Sequence, residues 1–405
     1  MNGAYRPKFR RPENRVKTLV LRVVLLCAAL SLIGTGTYLL YQSQAFSVEE
    51  PPKNQSLQDN IQRRVSFVAV GDNLPDEVLG AYADSCAGVY DDGLYDFHPI
   101  FSAIKPYIES ADLAYINFET HAGGDNIGPK GYPSYNTTDA MVDAVFDTGF
   151  NLIASATNHS YDWGLNALKH SAELWKAKPV LFTGTATSPA DAYTIQTYEK
   201  NGIVFALLNY TYGINGYKEE DIPEYAVNYM HEERIRSDIT KAREISDVVI
   251  VAVHWGTENQ TEPDSDQQYF AQVMANAGAD LVLGSHPHVI EPLVWLEGLA
   301  GNKTLVAYSL GNFLSRHEYP GYLNELEGML RCDFVKDSEG VHIENVSWVP
   351  LVNHTEEGFY RVFALKDYTP ELAERHVAFE GLENPIAWLM EQSREIIGSE
   401  FLAVH

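Results

Sequence analysis

After Arg63 the chain repeats one pattern: a short apolar, β-branched run that stops abruptly in Asp, Glu, Asn or His. Residues 65–70 (VSFVAV) stop at Gly71, Asp72 and Asn73, and 113–116 stop at Asn117, Phe118 and Glu119. Residues 152–156 stop at Thr157, Asn158 and His159, with Asp162 and Gly164 just beyond. Residues 247–253 (DVVIVAV) stop at His254, 281–283 at the GSHPH stretch 284–288, and 304–308 (TLVAY) at Ser309, Leu310, Gly311 and Asn312. Runs of this length bounded by turn residues predict strands buried on both faces. Helical stretches are expected at 139–148, 165–176, 223–245 and 267–277. The alternation predicts an α/β fold. In such sheets ligand groups gather beyond the carboxyl ends of the strands, so the polar ends are expected to converge on one site.

A different pattern precedes this region. Residues 23–41 (VVLLCAALSLIGTGTYLLY) carry no charge. Taken from residue 18, a helix would run ~36 Å, enough for a bilayer core of ~30 Å. Residues 1–17 hold six Lys or Arg against Glu13 alone. The positive-inside rule then keeps the N-terminus cytoplasmic and puts the rest outside the cell membrane. The competing reading is a cleaved signal peptide, with Ser43, Gln44 and Ala45 at the cleavage site. The expected organisation is a basic head (1–17), a transmembrane helix (18–41), a polar tether (42–63), a main α/β domain (64–360) and a helical C-terminal extension (361–405). That extension would hold helices at 369–378 and 385–401. Residues 329–353 alternate well enough for a hairpin beside the core.

Composition adds one exclusion. The 405 residues carry 29 Lys and Arg against 55 Asp and Glu, a net −26. Phosphate backbones repel such a chain, so nucleic-acid binding is not expected. Of the three cysteines, Cys27 lies in the apolar run. Cys86 and Cys332 remain, either as one disulfide or as two buried thiols.

The strand-end residues offer a specific chemistry. Asp72, Glu119, Asn158, His159, His254, His286 and His288 make a mixed nitrogen and oxygen set, which suits Zn, Mn or Fe better than Ca or Mg. In 286–288 the alternate residues of an extended segment would face one side. A carboxylate bridging two ions would support hydrolysis by an activated water. Asp162 either serves the site or caps the next helix. Glu258 stands either behind the site or in solvent.

Six stretches occur together in one order: GDN (71–73), NFET (117–120), TNHSYDWG (157–164), HWGTE (254–258), GADLVLGSHPHVIEPL (278–293) and YSLGNF (308–313). With them the chain resembles the CapA family of poly-γ-glutamate capsule synthesis proteins, itself similar to calcineurin-like metallophosphoesterases. NYTYGINGY (209–217) resembles the Gram-positive branch. The resemblance implies a metallophosphatase-like sandwich of two mixed sheets between helices. It implies Asp72 and a bridging Glu119 as carboxylate ligands, Asn158 as an amide ligand, and His254, His286 and His288 as imidazole ligands. It places His159 beside the reacting group, with Asn312 of the SLGNF stretch close by. Two positions depart from the pattern. Metallophosphoesterases open with Asp-x-His, and Leu74 stands at the third position here. Related capsule proteins often carry His where this chain has Asp76, a residue that can still ligate. One or two divalent ions are therefore expected.

Two function classes follow. One is a metal-dependent hydrolase at the cell surface, acting on a phosphoester or on the γ-amide of an acidic polymer. The other is a non-catalytic polymer-binding or assembly factor that works with capsule synthase subunits.

Overall fold

The computed structural model describes residues 63–316 and 321–402. The expected head, transmembrane helix and tether lie outside the described residues. Among the described residues no helix is long and apolar enough to cross a membrane. The described residues lie in one compact unit.

Two sheets make its frame. In the first, β1 (Arg63–Leu74), β2 (Leu113–Asn117), β3 (Leu152–Ala154) and β4 (Leu181–Thr183) lie parallel. β12 (Leu326–Asp337), β13 (Gly340–Glu356) and β14 (Phe359–Ala364) extend it in antiparallel fashion on the other side of β1. The second sheet runs in the order β5 (Thr197–Lys200), β6 (Ile203–Thr211), β7 (Val248–His254), β8 (Leu281–Ser285), β10 (Lys303–Ala307) and β9 (Leu293–Glu297). Its β6, β7, β8 and β10 are parallel. A short β11 (Asn312–Ser315) returns to pair with the end of β1.

Strand alternation decides the layers. Val65, Phe67 and Ala69 of β1 pack with Phe205, Leu207, Ile250 and Leu283 of the second sheet in a shared core. Val68 and Val70, on the opposite face of β1, pack with Ile100, Met141 and Trp175. Val249, Val251 and Val282 do the same with Ile235, Ile239 and Met274. Both sheets are thus apolar on both faces, which is why their strands read as continuous apolar runs. Among the described residues, five helices of ten or more residues supply the outer layers: α1 (Glu77–Ala87), α2 (Asp139–Thr148), α3 (Gly164–Lys176), α4 (Glu232–Ile245) and α5 (Ser265–Ala277), while α6 (Pro385–Ile397) packs Leu389 and Ile397 into the core shared by the sheets.

The expected helix over 223–245 is shorter than its pattern suggested. Val227 and Tyr229 instead form extended bridges to Thr185 and Thr211. They are buried with Ile222 and Ala226 in a small cluster of their own. The helix starts only at Glu232, where two glutamates in the first turn suit the helix dipole. The 329–353 hairpin forms as β12 and β13, as an extension of the first sheet. The C-terminal stretch carries a short helix, Pro370–Arg375, and α6. Cys86 and Cys332 are free thiols, the second one buried.

Candidate metal centre

The two sheets bring their parallel-strand ends to a common edge, and one segment ties them together. Residues 308–312 pass between the sheets. Leu310 N–H donates to Gly284 O at 3.1 Å, Asp72 N–H donates to Gly311 O at 3.0 Å, and the Trp255 indole donates to Tyr308 O at 2.9 Å. Two glycines allow this approach. A Cβ on Gly71 would lie 1.8 Å from Gly311 O, and one on Gly284 would lie 1.8 Å from Tyr308 O. The register of β1 also shifts at Asp72, against both β2 and β11. Such irregularities re-aim a side chain at the end of a strand.

Asp72 therefore points into the gap between the sheets, fully buried. Its Oδ1 accepts from Asn117 Nδ2 at 2.7 Å, and its Oδ2 accepts from the His286 backbone N–H at 3.1 Å. His288 Nδ1 stands 3.3 Å from the same Oδ2. His254 ends β7. Its Nε2 lies 2.9 Å from Asn158 Oδ1 and 3.4 Å from Glu119 Oε1, while Nδ1 meets Ser285 Oγ at 3.0 Å. Asn312 Oδ1 lies 2.9 Å from His288 Nδ1 and fixes that ring from behind.

Ligand atoms cluster in two overlapping groups. Asp72, Glu119 and His254 form one, and Glu119, His286 and His288 form the other, each within 4.8 Å. All five residues are buried. Glu119 belongs to both groups, yet neither of its carboxylate oxygens makes a hydrogen bond. Asn117 Oδ1 and His286 Nδ1 are likewise buried without a partner. A carboxylate buried this way costs several kcal/mol unless something compensates it. Burial alone would push the Glu119 carboxyl up, but His254 and then His288 outweigh it and hold the group well below the ordinary range. The same burial, with His254 and His288 nearby, pushes the His286 imidazole down to about 2. His288 goes the other way, held up at about 9 against burial by Glu119 and Asp72. These donors fit a divalent cation: buried carboxylate oxygens and an imidazole nitrogen without hydrogen-bond partners lie together in one mixed nitrogen and oxygen set.

His159 stands apart from both groups. Its Nδ1 is 2.7 Å from Asp162 Oδ2, and the two side chains are almost wholly buried. Asp162 also accepts from the Tyr135 backbone N–H at 2.7 Å. Asp162 thus orients His159, and the helix-cap alternative does not hold: α3 starts after Trp163 without a side-chain cap.

Two expectations change, for Asp76 and for the His286–His288 segment. Asp76 does not join the ligand groups. It caps α1, accepting from Val78 and Leu79 N–H, and pairs with Arg316 at 3.2 Å. Of the two alternatives for Glu258, the structure shows the exposed one. His286 and His288 do meet, with ring centroids 5.8 Å apart, but not along an extended segment. Both take positive φ, 98° and 57°, in a tight turn after β8. Left-handed backbone at a non-glycine residue is strained and tends to mark functional sites. Sequence reasoning left Asn117 and Ser285 without a role, although both lie inside the motifs it singled out.

The comparisons agree with the motifs. A family model described as bacterial capsule synthesis protein PGA_cap matches residues 66–317. The PGA biosynthesis protein CapA of Bacillus subtilis is 30% identical over 224 residues, 53% of this chain and 56% of that protein. The capsule biosynthesis protein CapA of Bacillus anthracis is 27% identical over 226 residues, 53% of each chain. The alignment thus spans about half the length of these curated relatives. A crystal structure of a novel phosphatase from Mycoplasma pneumoniae is 15% identical and overlays loosely, with a TM-score of 0.44 over 77% of this chain and 100% of that one.

Proposed function

Because the chain belongs to the PGA_cap family of bacterial capsule synthesis proteins, we propose that it is a membrane-anchored, metal-dependent hydrolase of the metallophosphatase type. It acts outside the cell on a phosphoester or γ-amide bond of an acidic surface polymer. The observation that carries this reading is Glu119, shared by two ligand groups and left without a hydrogen bond at full burial. Asp72, Glu119, His254, His286 and His288 would hold one or two ions, with Asn158 beside His254 as an amide ligand. A bound Mn, Zn or Fe ion supplies Lewis acidity and an acidified water.

The chain's own residues supply the rest. With Asp162 accepting the Nδ1–H of His159, a ring protonated at both nitrogens would present its Nε2–H to the leaving group, as a general acid does. Asn312 and Ser285 fix the rings of His288 and His254. The buried edge keeps bulk water from the reacting group. The basic residues 1–17 and the uncharged run 23–41 support the anchor and the outward orientation. The relatives' names support a role in capsule biosynthesis; the partners proposed for that role are capsule synthase subunits.

The test is hydrolysis by the full chain supplied with Mn²⁺, on a generic phosphodiester and on poly-γ-glutamate. One of the two should be cut. His159→Ala should keep the metal and lose about 100-fold or more in rate, and Asp162→Asn should lose rate in the same sense. Metal held with no cleavage of either substrate would move the reading to polymer binding or assembly.

A further inference from the structure

Asn209 opens the NYTYGINGY stretch near the end of β6, and the scheme above gives it no role. It is buried, and its side chain spans the two sheets. Its Oδ1 accepts two backbone N–H groups just past β3 of the first sheet, from Ser155 at 2.9 Å and from Ala156 at 2.6 Å. Its Nδ2 donates to Ala252 O of β7 at 3.3 Å, which anchors the amide in the second sheet. Gly184, just past β4, leaves room for this bridge: a Cβ there would lie 2.0 Å from Asn209 Oδ1 and 2.4 Å from Ala156 N.

The chain that Asn209 holds runs straight into Asn158 and His159. Ser160 closes that turn, its Oγ donating to Ser155 O at 2.8 Å and accepting from Thr157 N–H at 2.8 Å. Thr157 Oγ1 accepts from His159 N–H at 3.2 Å and donates to Glu119 O at 3.3 Å. From the far end of the NYTYGINGY stretch, Asn215 N–H donates to Asn158 O at 2.8 Å. The turn belongs to the first sheet, yet Asn158 must meet His254 of the second at 2.9 Å. The Asn209 bridge sets the spacing of the sheets at this edge, and with it the place of His159 relative to the ligand groups.

We propose that Asn209 and Ser160 are positioning residues for hydrolysis: Asn209 fixes the turn against the second sheet and Ser160 holds its shape, so that His159 meets the leaving group. The inference rests on the hydrolase reading and deepens it. Neither residue belongs to the ligand groups. In a phosphodiester, water adds to phosphorus, the P–O bond to the alkoxide breaks with its electron pair, and the alkoxide takes the Nε2 proton of His159 and departs as an alcohol. The proton that the water gives up restores the ring. Such a transfer needs the ring nitrogen within hydrogen-bond reach of the leaving oxygen, and a misplacement of about 1 Å can cost about 100-fold. A p-nitrophenolate leaves without a proton, so its release bypasses His159 and the turn that carries it.

The experiment uses the Mn²⁺-loaded full chain with two phosphodiesters, glycerophosphoglycerol, whose leaving group is an alkoxide, and bis(p-nitrophenyl) phosphate. Asn209→Ala and Ser160→Ala should each lower kcat on glycerophosphoglycerol about tenfold or more, leave KM within about threefold, and change kcat on the p-nitrophenyl ester by about threefold or less. Metal content at saturating Mn²⁺ should match wild type. Equal losses on both esters would reduce the two residues to a part in fold stability and overturn the proposal, and so would variants that match wild type on both. If Asn209→Ala does not fold, Ser160→Ala decides by the same criterion. If the loaded wild type cuts neither diester, the phosphoester reading falls, and the positioning role is decided by hydrogen exchange. The variants should then speed exchange of the 155–160 amides about tenfold without changing that of β6, and unchanged exchange at 155–160 overturns the positioning role too.

Discussion

Glu291 is fully buried in the IEPL stretch just past the two site histidines. Its Oε2 accepts from Gln267 Nε2 at 2.6 Å, and Oε1 has no partner. Burial, reinforced by Asp264 and Glu262, raises its pKa from an ordinary 4.5 to about 8. A group raised on folding stabilises the protein fully below its unfolded pKa, and that contribution is lost as pH rises through the folded value. Wild type should therefore lose stability relative to Glu291→Gln between pH 4.5 and 8. The gap should reach about 2–4 kcal/mol and flatten above that range. Urea unfolding of both proteins across the range measures it, and parallel stability curves would show that Glu291 is ionised in the fold. At this scale much of the site was legible. Aspartate, glutamate and histidine at strand ends announce themselves, because packing alone does not call for them there. Asn117 and Ser285 did not, since both are common turn residues and only the cross-sheet geometry shows their partners. Asp76 misled for a related reason: a carboxylate just after a strand end is equally suited to capping the next helix.

At the scale of elements, the strands whose apolar runs end in polar clusters were readable, while others were not. β4 is three residues long, too short to carry a period. β6 is a nine-residue run whose end lacks the Asp or His that marked its neighbours, so it passed as an unassigned stretch. The 223–231 segment carries a helix-compatible composition, but burial of Val227 and Tyr229 against another loop overrides it. The element that most constrains the site is the 308–312 segment wedged between the sheets. Gly71→Ala and Gly284→Ala each drive a Cβ into a backbone carbonyl that cannot swing away. Each should cost about 3 kcal/mol or more. A clear fall in the urea midpoint is expected for both, and an unchanged midpoint would mean that the segment is free to move off the strand ends.

At the scale of the whole molecule, charge and topology join the site to its setting. The net −26 is carried by a chain whose first 17 residues are basic, which fits a body facing outward from a membrane. Protease added to intact cells should digest the region beyond Phe46 and spare an N-terminal tag. Protection of the C-terminal region would reverse the orientation, and a mature form starting near Phe46 in the medium would replace the anchor with a cleaved signal peptide. The central claim, though, concerns the gap between the sheets. Metal content of the full chain, purified without chelator and supplied with Mn²⁺ or Zn²⁺, tests it most directly. Wild type should retain one or two ions per chain, His254→Ala or His286→Ala should retain less, and Glu119→Ala should lose most, because both ligand groups share that carboxylate. Wild type that holds no metal under these conditions would contradict the account and leave the constellation as a structural polar cluster.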